Sequence, residues 1–283
     1  MDIQAGMAAY VSGAGSGIGR GIARVLASRG VRVGVADIRG EAAEETVALI
    51  AADGGQAVAL EVDVSEKASV EAAADAIEGA FGPVSIVCNN AGVAMHGVPV
   101  HEFSSAEWDW VIGVNLYGVI HGIQTFVPRL IAAGGPGHVV NTASIGGFQV
   151  NAAFLTGPYS TTKYAVVALS EALSNELAET SIGVSILAPA AVNTSIHLSE
   201  RSRPDRLGGA YVRPENHFMG ELIRDGADPL EIGRQVAEAI EDDALYVFTH
   251  PETEAWLEAR CGRILAGYDR LKGDRSGARQ AAE

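Results

Sequence analysis

Ala8-Ala9-Tyr10-Val11-Ser12-Gly13-Ala14-Gly15-Ser16-Gly17-Ile18-Gly19 joins a short apolar run to a glycine-rich turn, and the helical pattern Ile22, Val25, Leu26 follows it. A turn of this kind between a strand and a helix lets backbone N–H groups and a helix N-terminus approach a phosphate closely. The spacing is Gly13-x-x-x-Gly17-x-Gly19, not G-x-G-x-x-G, and a tight turn with no ligand would look the same locally. The next stretch favours a ligand. A second apolar run, residues 31–36, ends in Asp37, close to the roughly 20-residue distance at which an acid meets ribose hydroxyls in dinucleotide-binding folds. An acid there repels a 2′-phosphate and so favours NAD over NADP. Arg39, two positions on, is able to grip such a phosphate and keeps NADP open.

Helical and strand patterns continue to alternate. A helix is expected over 41–52 and a strand over 57–62, with Asp63 and Val64 at its carboxyl end, where open parallel sheets bind ligands. Ser65 reads as the N-cap of the helix running to Phe81. The run 84–88 enters Asn89-Asn90-Ala91-Gly92, a fourth strand ending in a polar turn. From 110 to 128 no residue is charged. That is long enough to cross a bilayer, yet Asn115, His121 and Gln124 lie inside it, so a helix buried on most sides is the better reading. A strand over 139–143 ends in Ser144, a helix follows from Tyr159, and a strand over 184–187 runs into Pro189-Ala190-Ala191-Val192-Asn193-Thr194.

Regularity fades over 195–227, as in a lid, and the tail 272–283 is polar and expected to fray. Arg201, Arg203, Arg206 and Arg213 are read as a solvated basic side of that lid, and Tyr211, His217, Phe218 and Met219 as its apolar side. Between these come a helix over 229–241, a strand over 244–249 and a helix over 252–268. No linker divides the chain. The expected fold is a single α/β domain spanning 1–283, a doubly wound Rossmann-type parallel sheet of about seven strands.

Pro158-Tyr159-Ser160-Thr161-Thr162-Lys163 carries the chemistry. If Pro158 opens a helix, Tyr159 and Lys163 share one face a turn apart. A phenol titrates near ~10 and is a poor base until something stabilises the phenolate. Moving the pKa by ~2–3 units needs roughly 3–4 kcal/mol, which an ammonium one turn away and the positive end of the helix supply. Ser144, at a strand terminus, is placed to donate to a carbonyl oxygen while Tyr159 protonates it. Between them Gly146, Gly147, Phe148, Val150, Phe154 and Leu155 have the apolar, flexible character of a pocket wall.

The 283 residues carry 20 Lys and Arg against 35 Asp and Glu, a formal charge of −15, which argues against nucleic acid or an anionic membrane as partner. Cys88 and Cys261 lie on unrelated segments, so neither a disulfide framework nor a metal site is indicated, in keeping with a reducing cytoplasm. Met1-Asp2-Ile3-Gln4 lacks the start of a signal peptide.

Taken together, Ser12-Gly13-x-x-x-Gly17-x-Gly19, Asn89-Asn90-Ala91-Gly92, Asn115, Ser144 and Tyr159-x-x-x-Lys163 resemble, in order, the motifs of the short-chain dehydrogenase/reductases, over about residues 8–249. The resemblance implies that Tyr159 is the general acid/base, that Ser144 polarises the substrate oxygen, and that Lys163 binds the nicotinamide ribose and lowers the Tyr159 pKa. Asn115 would hold a relay water. Gly13, Ser16, Gly17, Ile18 and Gly19 would take the pyrophosphate, Asp37 the adenosine ribose, Asp63 and Val64 the adenine. Asn90, Pro189, Val192 and Thr194 would also border the cofactor, and Phe154 and Tyr211 would meet the substrate beside Ser144 and Tyr159.

Two positions depart from the family pattern: Ala190 follows Pro189 where glycine is usual, and Ser12 replaces threonine. The runs 113–122 and 243–247, with Pro251-Glu252, are similar to the branch holding Cα-dehydrogenases of lignin-type aryl ethers and alcohol dehydrogenases for bulky ketones. The expected activity is therefore hydride transfer between NAD and a bulky or aromatic secondary alcohol or its ketone, in a cytoplasmic homodimer or homotetramer built on the helices near 108–133 and 159–180. Two competing readings are a 3-oxoacyl thioester reductase, usually NADPH-dependent and so disfavoured by Asp37, and a non-catalytic dinucleotide-binding scaffold, disfavoured by the intact Ser144, Tyr159 and Lys163.

Overall fold

The computed structural model describes residues 1–211, 220, 221 and 223–269. Arg213, His217, Phe218 and Met219 of the expected lid, and the tail 272–283, lie outside the described residues. Met1–Thr249 forms one compact unit and His250 begins a second.

The first unit holds seven strands: β1 (Ala8–Ser12), β2 (Arg32–Asp37), β3 (Gln56–Glu61), β4 (Val84–Asn89), β5 (Gly137–Thr142), β6 (Ile182–Ala188) and β7 (Tyr246–Phe248). Each pairs in parallel with its neighbour, in the order β3-β2-β1-β4-β5-β6-β7. Parallel neighbours need a crossover, and helices supply it: α1 (Gly17–Ser28), α2 (Gly40–Ala52), α3 (Lys67–Phe81), α4 (Ser105–Ile112), α5 (Gly118–Ala133), α6 (Gly157–Glu176) and α7 (Pro229–Asp242). With helices on both faces the strands are covered twice, which is why they read as near-continuous apolar runs.

Strand alternation divides the core. Along β1, Ala9 and Val11 face a cluster with Ile22, Leu26, Val33, Val35, Ile232 and Val236, while Ala8 and Tyr10 face another with Ile77, Phe126 and Leu130. On the first face α1 crosses α7 so closely that a Cβ on Gly233 would lie 2.6 Å from the Gly21 carbonyl oxygen. Strand order reverses between β1 and β4, so the carboxyl ends of these two strands, Ser12 and Asn89, open the crevice where such sheets bind ligands.

Two local expectations change. Ser65 does not cap α3: Glu66 precedes the first turn, and Ser65 folds back so that its N–H and hydroxyl donate to Asp63 Oδ1 at 2.9 and 2.6 Å. The carboxylate two residues upstream outcompetes the helix for those donors. The uncharged run is a continuous helical segment, but with a wider π-helical turn at Gly113–Tyr117 between α4 and α5, holding the buried Asn115. Single π turns of this sort recur at functional positions. Trp110, Val111, Val119, Phe126 and Leu130 of this segment are buried in the core.

The described part of the second unit is a short 3₁₀ turn, Pro251–Thr253, and a helix α8 (Glu254–Ala266), with the Thr253 hydroxyl donating to the His250 carbonyl at 2.6 Å.

Candidate active site

The glycine turn is built so that only glycine fits. Gly13 and Gly17 have φ of 64° and 50°, and a Cβ on Gly13 would lie 2.8 Å from Ala91 Cα. One on Gly17 would lie 2.9 Å from Thr194 Cγ2, which places the segment after β6 directly against the turn. Ser16 stands as N-cap of α1 in extended conformation with its side chain making no cap bond. The α1 N-terminus is left to orient its free N–H groups outward, with half-buried Ile18 beside them.

Asp37, 8% exposed at the end of β2, accepts from the Gly15 N–H at 2.9 Å and the Arg39 N–H at 3.1 Å, one on each oxygen. Each oxygen keeps a lone pair for a hydroxyl donor. The Arg39 side chain is exposed. Asp63 is engaged by Ser65, and the Val64 carbonyl meets His121 Nδ1 at 2.9 Å. Asn90 is tied across the crevice: its N–H and Nδ2 reach Ser12 Oγ and Ser12 O, both at 2.9 Å, and its Oδ1 accepts from Thr142 Oγ1 at 3.3 Å. Ser12 Oγ also accepts from the Ala91 N–H at 3.1 Å and donates to the Cys88 carbonyl, so serine does here all that a threonine hydroxyl would. The cradle of glycines, the open helix end and a buried carboxylate with acceptor capacity to spare fit a dinucleotide.

Helix α6 opens with Pro158 in its first turn, as the sequence predicts, and directs Tyr159 and Lys163 toward the end of β5. Lys163, 3% exposed, donates from Nζ to the Thr142 carbonyl at 2.8 Å and lies 5.6 Å from the centroid of the Tyr159 ring. Burial pushes its amine down to about 8. Ser144 Oγ accepts from the Gly146 N–H at 3.0 Å and donates toward the Pro189 carbonyl at 3.4 Å. A Cβ on Gly146 would lie 3.4 Å from Ser144 Oγ and 3.5 Å from Tyr159 Cε1, so these two side chains flank one point. Burial raises the Tyr159 phenol above its ordinary value, and the Ser144 hydroxyl draws it part of the way back. The Lys163 ammonium is turned to the Thr142 carbonyl and acts on the ring from a distance.

Asn115 joins this group from the π turn. Its Oδ1 accepts from the Val93 N–H at 2.8 Å, and its Nδ2 donates to Val93 O and Thr162 Oγ1 at 2.9 and 3.1 Å. Thr162 passes the tie on to the Tyr159 carbonyl at 2.7 Å. A Cβ on Gly92 would stand 3.5 Å from both Asn115 Oδ1 and Lys163 Nζ. Reading the sequence alone misses Thr162, Thr142 and Val93; the signal available is the Thr161-Thr162 pair inside the Tyr-to-Lys interval, where serine and threonine often hydrogen-bond backbone.

Around the crevice mouth, Phe154 is half-buried with its carbonyl accepting from the Gly97 N–H at 3.1 Å. Tyr211 is exposed, with its N–H donating to the Glu200 carbonyl at 3.2 Å. Val192 is buried and bridges to Ala227. The first part of the lid is ordered rather than irregular: two 3₁₀ turns, Ile196–Ser202 and Asp205–Leu207, are pinned by Arg203, which donates to Glu107 Oε1 at 3.3 Å and the Gly209 carbonyl at 2.9 Å. Among the described residues no three His, Cys, Asp or Glu side chains cluster to hold a metal ion.

The family model for short chain dehydrogenases matches residues 7–205. The chain is 37% identical over 279 residues to the C alpha-dehydrogenase of a Sphingobium species, covering 97% of this chain and 90% of that one. It is 34% identical over 239 residues to a cyclohexanol dehydrogenase of an Acinetobacter species, 84% and 89% of the two chains. The crystal structure of a Burkholderia phymatum short chain dehydrogenase/reductase in complex with NAD superposes with a TM-score of 0.90 at 35% identity, over 94% of this chain and 97% of that one. With the motifs gathered at one crevice and these likenesses spanning nearly the whole chain, the protein belongs to the short-chain dehydrogenases and is an oxidoreductase that moves hydride between a nicotinamide cofactor and a secondary alcohol or its ketone.

Proposed function

We propose that the enzyme oxidises bulky, aromatic secondary alcohols with NAD through Tyr159, Ser144 and Lys163, and reduces the matching ketones in reverse. The observation that carries this is the convergence of Ser144 Oγ and the Tyr159 ring on one point beside Gly146, with Lys163 Nζ 5.6 Å from that ring. In this reading an alcohol at that point is held by a hydrogen bond from Ser144, and Tyr159 takes its hydroxyl proton as general base. Ser144 also lowers the phenol, so the hydroxyl that orients the substrate helps to ready the base. Lys163 stabilises the phenolate from 5.6 Å and would hold the ribose on the nicotinamide side of a bound cofactor. Asn115 and Thr162 fix the height of Tyr159 by gripping its carbonyl through a side-chain pair. When bound, the nicotinamide supplies the hydride acceptor.

Preference for NAD is read from Asp37, a buried carboxylate at the end of β2 that would repel a 2′-phosphate brought beside it. The aromatic substrate class rests on the Sphingobium relative and on the apolar, glycine-containing stretch 146–155 between Ser144 and Tyr159, in which Phe154 is half-buried. Cofactor absorbance, followed while benzylic, aliphatic and steroidal secondary alcohols are offered with NAD and NADP in parallel, tests it. The expected result is fastest turnover of bulky aryl carbinols with NAD. Preference for NADP would mean that Arg39 outweighs Asp37, and acetoacetyl thioester turnover with NADPH far above any aryl alcohol would overturn the substrate class.

The chain is also proposed to work as a homo-oligomer. Tyr117 and Ile131 are 51% and 54% exposed on the helical run 105–133, and Phe148, Tyr246 and Phe248 form a cluster with ring centroids 5.0 to 6.3 Å apart at the β7 edge. Apolar surface of this kind is covered in most proteins that carry it. Light scattering on the eluting peak should give the mass of two or four chains; a single-chain mass at micromolar concentration would overturn it.

A further inference from the structure

Arg20 is not among the cofactor residues that the glycine motif names, and its side chain points back over the turn. Its Nη2 donates to the Gly15 carbonyl at 2.5 Å and to Glu45 Oε2 at 2.9 Å, its Nη1 to Glu45 Oε1 at 3.2 Å, and its Nε to Thr46 Oγ1 at 2.9 Å. Four of the five guanidinium N–H groups are thereby used in one plane. Thr46, which is fully buried, donates in turn to the Ala14 carbonyl at 2.9 Å. The other side of the same two residues is also held: Ala14 N–H donates to the Ala36 carbonyl and Gly15 N–H to Asp37, both at 2.9 Å.

We propose that Arg20, braced by Glu45 and Thr46, is a positioning residue for the diphosphate: it draws the Ala14 and Gly15 carbonyls to the α2 side so that the turn presents N–H groups to the ligand. This rests on the reading that the turn binds a nicotinamide dinucleotide. The physical need is specific. A peptide carbonyl turned toward a diphosphate repels it, and a glycine-rich turn has the freedom to turn that way unless something holds it. Arg20 supplies a charge-assisted bond to one carbonyl, and through Thr46 orders the other. Glu45 holds the guanidinium plane in a two-oxygen grip, which keeps the fork aimed at the turn. The room for relaxation is small elsewhere, since a Cβ on Gly15 would lie 2.7 Å from both Ala42 Cβ and Asp37 Oδ2.

Fluorescence titration of the purified enzyme with NADH, and competition by ADP-ribose and by adenosine, tests the clamp. Arg20→Met keeps the aliphatic stem and removes the fork. Losing one charge-assisted bond, the Kd for NADH and for ADP-ribose should each rise about tenfold, while adenosine, which lacks the diphosphate, stays within about twofold. In steady state the loss should fall on KM for NAD. Unchanged ADP-ribose binding would overturn the proposal, and so would equal weakening of adenosine, which would mark a merely structural role. Should Arg20→Met fail to fold, Arg20→Lys keeps one donor for Gly15 and loses the rest; an intermediate rise of about threefold is expected, and wild-type affinity would overturn the clamp. A wild-type enzyme that binds neither NADH nor ADP-ribose would be a failure of the underlying reading and is visible before any variant is made.

Discussion

Tyr159→Phe is expected to lower kcat for alcohol oxidation by about 10³-fold, the middle of the range that removal of a positioned general base produces. The ring and its packing are kept, so the substitution removes one oxygen and one ionisable proton. Ser144 keeps its bonds to the Gly146 N–H and Pro189 carbonyl, and Lys163 keeps the Thr142 carbonyl, so neither neighbour is left without a partner. Cofactor affinity by NADH titration should stay within about threefold, because the turn, Asp37 and Lys163 are untouched. Loss in kcat with binding intact is the signature of a group used in the transition state. A variant retaining more than about a tenth of the wild-type rate would remove Tyr159 from the proton path. If biological activity survived the substitution unchanged, the chain would act as a dinucleotide-binding scaffold.

Much of the fold was legible because each strand of a doubly covered parallel sheet must be apolar on both faces, so Val33, Val35, Ile86 and Val140 mark their strands without help from turns. The seven-strand sheet and its ligand crevice follow from that alternation and from the glycine turn after β1. Less was legible where long-range partners decide. Ser65 looked like a helix cap, but the competing acceptor is Asp63, and nothing in the local pattern ranks the two. The π turn at Asn115 depends on Val93 and Thr162, which are 22 and 47 positions away and pull the amide inward. Arg20 and Thr46 sit on different helices and meet only once β2 has brought α2 beside α1.

The site divides in the same way. Ser144, Tyr159, Lys163 and Asn115 stand out by residue type and order, and the folded chain gathers them because α6 packs against both β5 and the π turn. Their electrostatics were less legible. Burial is a property of the assembled core, so neither the rise of the Tyr159 phenol nor the fall of the Lys163 amine is written in the Tyr-x-x-x-Lys spacing.

Lys163→Met should trade activity for stability. At an effective dielectric of about 20, a cation 5.6 Å from the ring is worth about 3 kcal/mol to a phenolate, so its removal should cost roughly 10²-fold in kcat/KM. The same cation is costly to fold. Burial lowers Lys163 from 10.5 to about 8. Between those pH values the unfolded chain holds a proton that the folded chain has released, so stability climbs with pH across that window. Below pH 8 the penalty stands in full, on the order of 3 kcal/mol. Methionine fills similar space without charge but leaves the Thr142 carbonyl without its donor, which costs about 1–3 kcal/mol. The variant should therefore be as stable as the wild type or more so at pH 7 by denaturant unfolding, and lose ground relative to it as pH rises from 8 toward 10.5. A variant clearly less stable at pH 7, with no change in the difference across that window, would mean that Lys163 is not a desolvated cation. A stable variant with wild-type kcat/KM would mean that the phenolate needs no cation beside it.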